Sequence, residues 1–133
     1  MTRYGIDALT AVRLVREGVV VSDRHKLVAP NLLRSQALSI IYRSVRDGST
    51  TAADARQQLE RITTMSIRLL GDRVSRGTAF RLATSLDWDD TPNAEYVAVA
   101  QLQADALIVG DPEFAATLEG VVPLADFDAL TVA

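Results

Sequence analysis

Two short apolar segments of this chain end in an aspartate: Tyr4-Gly5-Ile6-Asp7 near the start and Ala106-Leu107-Ile108-Val109-Gly110-Asp111 near the end. Apolar runs of four or five residues without alternation predict strands buried on both faces, and so a mostly parallel sheet. Such a sheet sends its carboxyl ends to one edge, where ligands bind. Asp7 and Asp111, about 100 residues apart in sequence, are thereby expected to meet as a carboxylate pair suited to a divalent metal. A second reading stands beside this one. Aspartate is a favoured helix N-cap, and Asp111-Pro112-Glu113 carries proline where a helix begins. Capping and metal binding are compatible roles.

The elements that must position this pair follow from periodicity. Residues 3–7 read as a strand, and Ala8, Val12 and Val15 give a helical stripe ending at Gly18. Leu27-Val28-Ala29-Pro30 reads as a short strand, with Asn31 capping the next helix. Leu33, Ala37, Ile40, Ile41 and Val45 form that helix's apolar stripe, and Gly48 ends it. Gln36 falls on the buried side of the stripe, where its amide must find hydrogen-bond partners. Thr51 caps a helix with Ala52, Ala55, Leu59 and Ile62 inward, whereas residues 63–70 stay open between helix and strand. A helix is expected over 73–86. Asn93 caps another, whose Ala94, Val97, Ala98 and Ala100 allow close packing on the sheet. A strand at 106–110, a short helix from Asp111 and a strand at 121–124 complete the pattern. Strands alternating with helices in this order predict a three-layer α/β/α fold with a mostly parallel central sheet, in one domain spanning residues 1–133.

Composition narrows the chemistry. The chain has no cysteine and one histidine, His25, which excludes zinc-thiolate sites, serine or cysteine triads and histidine-rich metal centres. His25 reads as a loop residue beside Lys26. No apolar run approaches the ~18 residues needed to span a bilayer, and no signal-peptide pattern opens the chain, so a cytoplasmic protein without membrane contact is expected. The net charge of −3 conceals a split: all fourteen basic residues lie between Arg3 and Arg81, and ten acidic residues and no basic ones follow. That split reads either as charges that solvate helix faces, the reading preferred for most of these residues singly, or as an acidic pocket beside a basic, phosphate-holding surface, for which Arg34, Arg43 and Lys26 are candidates.

Four stretches together resemble the PIN-domain family and, within it, the VapC-type toxin ribonucleases. Tyr4-Gly5-Ile6-Asp7-Ala8 is similar to the family's opening strand with its first metal-site aspartate, and Ala106 to Asp111 to the strand ending in its fourth acidic residue. Leu27 to Leu38 resembles the second element, with Gln36 where an acidic residue normally stands. Asn93-Ala94-Glu95-Tyr96-Val97-Ala98 resembles the family's Asp-Ala-x-Tyr-x-Ala helix, with Asn93 in place of aspartate. The resemblance implies a PIN-like fold and a metal-dependent endoribonuclease. It implies Mg2+ or Mn2+ held by Asp7 and Asp111, with Gln36 and Asn93 at the other two catalytic positions. It also implies an RNA substrate, a small antitoxin protein as partner, and a homodimer.

The two amides keep shape and remove charge. Unit charges ~4 Å apart interact by about 4 kcal/mol at an effective dielectric near 20, so two missing carboxylates weaken a divalent site severely. Two readings therefore remain. One is a VapC-like nuclease with a weakened acidic site; the other is a catalytically degenerate PIN domain that binds RNA or antitoxin.

Overall fold

The computed structural model describes residues 1–132, so Ala133 of the expected domain lies outside the described residues. Four strands, β1 (Thr2–Ile6), β2 (His25–Pro30), β3 (Arg68–Leu70) and β4 (Ala106–Ile108), form one sheet in the order β3-β2-β1-β4. Every pairing is parallel, with Tyr4 opposite both Leu27 and Ala106, and Ile6 opposite Ile108. The expected strand at 121–124 is reduced to a single parallel bridge between Leu124 and Leu107. Val121-Val122 instead packs beside Leu107 and Leu118, with its backbone turned back onto the Leu118 carbonyl. His25 is also not a loop residue. It opens β2, packs edge-on against Tyr4 at 5.1 Å and bonds the Val132 carbonyl through Nε2.

Helices cover both faces, which is why the strands read as continuous apolar runs. On one face lie α1 (Ala8–Glu17), α2 (Leu33–Arg46) and α3 (Ala52–Thr64), packed on one another. Their core joins Ile6, Leu27, Ala29 and Ile108 to Ala11, Val12, Leu33, Ala37 and Ile41. On the other face α5 (Pro92–Gln103) crosses β1, β2 and β4, with α4 (Arg73–Ser85) outside it. Small side chains bring these layers together: Ala94 and Ala98 meet Ala79 and Ala83, and a Cβ on Gly5 would lie 3.2 Å from Ala100 Cβ. A short α6 (Pro112–Thr117) follows β4. The result is a three-layer α/β/α fold around an all-parallel sheet. Among the described residues, no helix is long and apolar enough to cross a membrane.

Local signals explain most boundaries. Asp7, Thr51, Asp72 and Asp111 each accept a backbone N–H at a helix start, and Gly18 ends α1 at a positive φ of 62°. Two expected caps fall elsewhere. Asn31 lies one residue before Leu32, which holds the N-cap position of α2 with no side-chain cap bond. Thr91, not Asn93, holds the N-cap position of α5, because Pro92 is best accommodated in the first helical turn.

Candidate functional site

The carboxyl ends of β1, β2 and β4 meet at one edge, and Asp7 is the anchor of that edge. Its side chain is only 7% exposed. Oδ1 accepts the Thr10 N–H at 2.9 Å and the Thr10 hydroxyl at 2.7 Å. Gly110 N–H, from the loop after β4, reaches both carboxylate oxygens at 3.2 Å. The buried carboxylate is therefore held by dipoles at the start of α1 and by the β4 loop rather than by a cation. Gly110 immediately precedes Asp111, so the same bond ties the two aspartate-bearing loops together. Asp111 itself is exposed and caps α6, accepting the Glu113 N–H at 2.9 Å. Both aspartates stand at the carboxyl ends of parallel strands, and both serve as caps.

Gln36 stands on the first turns of α2, half-buried as its place in the stripe requires, and its partner is Tyr96. The Tyr96 hydroxyl donates to Gln36 Oε1 at 2.6 Å across 60 residues of sequence. Although Tyr96 grows from α5, its side chain is buried in the core that α1, α2 and α3 share. Burial, reinforced by the negative charges of Asp7 and then Glu95, lifts this phenol well above its ordinary range, so it stays a protonated donor. Tyr96 is the residue that the sequence reading passed over. Its signal was available: a tyrosine among small apolar residues on a buried helix needs a partner for its hydroxyl.

Asn93 lies one helical turn before Tyr96 on the same side of α5, at the same sheet edge, and is exposed. Glu95 is half-buried; partial desolvation raises its pKa, against the opposing charge of Arg76. Asp90 is exposed and accepts the N–H of Thr91, so it belongs to the turn before α5.

The cations do not surround this edge as expected. Arg34 spends its guanidinium on the C-terminus of α3, donating to the Ile62 and Met65 carbonyls at 3.2 and 3.1 Å. Lys26 pairs in register with Arg3 at the opposite, amino edge of the sheet. There a groove of about 1190 Å³ gathers Arg3, Lys26, Arg61 and Arg68 around Val19 and Met65. Arg43 is exposed on α2. A smaller cleft of about 550 Å³, lined by Thr10, Gly110, Pro112 and Asp126, runs beside the two aspartate loops. The amino-edge groove is larger, yet the aspartates and both amides stand at the carboxyl edge, so the candidate site is there.

Among the described residues, no three side chains of histidine, cysteine, aspartate or glutamate form a group able to hold a metal. Two carboxylates nevertheless match how Mg2+ is commonly held, by one or two carboxylates, several waters and substrate phosphate. At this edge both oxygens of Asp7 accept from protein donors, and Asp111 accepts the Glu113 N–H.

No protein-family model and no curated protein matches the chain. Among solved structures, the fold is similar to the crystal structure of PAE2754 from Pyrobaculum aerophilum. The two are 20% identical, with a TM-score of 0.70 covering 97% of this chain and 93% of that one. At that identity the likeness is one of fold.

Proposed function

We propose that this chain is a VapC-like toxin component, a PIN-type endoribonuclease dependent on Mg2+ or Mn2+ whose acidic site is weakened by two amides. In this reading it works in the cytoplasm as a homodimer restrained by a small antitoxin. The observation that supports it most is the bond from Gly110 N–H to the Asp7 carboxylate, which brings the loop carrying Asp111 against Asp7. Asp7 and Asp111 would hold the ion, and the ion when bound would activate water and offset charge on the phosphate. Thr10 and Gly110 orient Asp7; Tyr96 orients Gln36; Asn93 stands exposed at the start of α5.

The second reading, a degenerate PIN domain that binds RNA or antitoxin without cleaving, is favoured by the lack, among the described residues, of a third metal-ligating side chain grouped with the aspartates. One set of experiments separates them. RNA cleavage in Mg2+ or Mn2+, abolished by EDTA and by Asp7→Asn or Asp111→Asn, is the outcome expected of the nuclease. Restoring charge with Gln36→Glu plus Asn93→Asp should raise metal affinity measured by calorimetry. Cleavage by the restored protein with none by the natural one would refute the nuclease reading and leave the binding protein.

A further inference from the structure

The hydrogen bond between Tyr96 and Gln36 orients the Gln36 amide at the carboxyl edge of the sheet. The Tyr96 hydroxyl carries a single hydrogen, and Gln36 Oε1 receives it at 2.6 Å. The amide is thereby oriented: its oxygen faces Tyr96 and its NH2 is turned away. Gln36 Nε2 makes no hydrogen bond within the described residues, yet it is not a buried orphan; among the described residues the buried side-chain N or O atom lacking a partner is His25 Nδ1. Two N–H donors on Nε2 consequently face solvent at the edge where Asp7 stands. A donor repels a cation and suits an anionic oxygen. We infer that Gln36 works at this sheet edge as a hydrogen-bond donor to a phosphate oxygen, and that Tyr96 is the positioning residue that turns its amide that way.

This inference rests on the phosphodiester reading of the site and alters what position 36 does there. A glutamate at this position would accept from Tyr96 and offer its second oxygen to a metal. The glutamine offers a donor instead, so the amide exchanges a contact to the ion for a contact to the substrate. Two consequences of opposite sign follow for Gln36→Glu: metal affinity rises, while RNA affinity without metal falls.

The test uses the full chain in EDTA, where cleavage by a metal-dependent site is silent. A labelled single-stranded RNA oligonucleotide is titrated and followed by anisotropy. Gln36→Leu should weaken binding about tenfold, and Gln36→Glu by more, since it removes the donor and adds charge. The Gln36 side-chain NH2 signals in a 15N spectrum should shift on adding either the RNA or inorganic phosphate. Tyr96→Phe keeps the ring and should change those signals in the free protein, a signature that loss of packing alone does not give when the backbone spectrum is unaltered. RNA affinity in EDTA that is unchanged or raised in Gln36→Glu overturns the inference, as do amide signals that neither ligand moves. An active nuclease with unmoved Gln36 signals would defeat the inference alone. An inactive protein whose RNA affinity depends on Gln36 would defeat the cleavage reading alone.

Discussion

Replacing Asp7 by asparagine decides whether its carboxylate is a member of a strained acidic cluster or a fully supported cap. Crowded carboxylates in a metal site without its metal repel one another. Two charges ~4 Å apart cost about 4 kcal/mol at an effective dielectric near 20, so neutralising one of them stabilises the protein. Here the opposite sign is expected. Asp7 is 7% exposed and receives Thr10 N–H, the Thr10 hydroxyl and Gly110 N–H, with no third acidic partner at hand. A hydrogen bond to an ionised acceptor contributes about 1 kcal/mol more than one to a neutral acceptor, so three donors lose about 3 kcal/mol. Burying an amide costs less than burying a carboxylate, which offsets part of that loss. The net expectation for Asp7→Asn is a destabilisation of about 1–2 kcal/mol, or a fall in Tm of about 3–8 °C for a chain of this length. Thr10→Val, which removes one donor and keeps the shape, should reproduce part of the loss. The assay is urea denaturation followed by circular dichroism at neutral pH in EDTA. Asp7→Asn as stable as the natural protein, or more so, would refute the argument that dipoles satisfy this carboxylate.

Two further expectations concern the same edge. Gly110→Ala would place a Cβ 2.5 Å from Leu9 Cβ and crowd the Leu9 backbone; α1 must then move away from the β4 loop at a cost of about 1–3 kcal/mol, read as a lower denaturation midpoint. Glu95 has its pKa raised by desolvation, so the folded state holds its proton more tightly than the unfolded chain does. Stability from this group is full below the ordinary value of 4.5 and is lost as pH climbs through the raised value. Glu95→Gln should therefore gain stability relative to the natural protein as pH rises from about 4.5 towards neutrality, in paired melts across pH; a flat difference would contradict the assignment.

Much of the architecture was legible because it rests on local chemistry. Unalternating strands told of a sheet covered on both faces, and the capping chemistry of Asp7, Thr51 and Asp111 marked three helix starts. Parallel connectivity then obliged Asp7 and Asp111 to share an edge, and the spacing of Gln36 within its stripe required a buried partner for its amide. These features depend on a residue and its near neighbours, so the chain declares them.

What the sequence could not declare depends on which distant atoms meet. No spacing rule says that the Tyr96 hydroxyl, sixty positions from Gln36, takes the amide oxygen and leaves the nitrogen outward. Nor does any rule place Lys26 at the amino edge and bind Arg34 to the end of α3, dispersing a basic patch that composition had suggested. Proline's fit to the first helical turn moved the α5 cap from Asn93 to Thr91, and packing on Leu118 reduced 121–124 to one bridge. Residue types determined which groups the molecule carries to its carboxyl edge. The direction in which each points was decided by tertiary packing, because a hydrogen bond or guanidinium contact is chosen by geometry within about 3 Å that sequence separation does not encode.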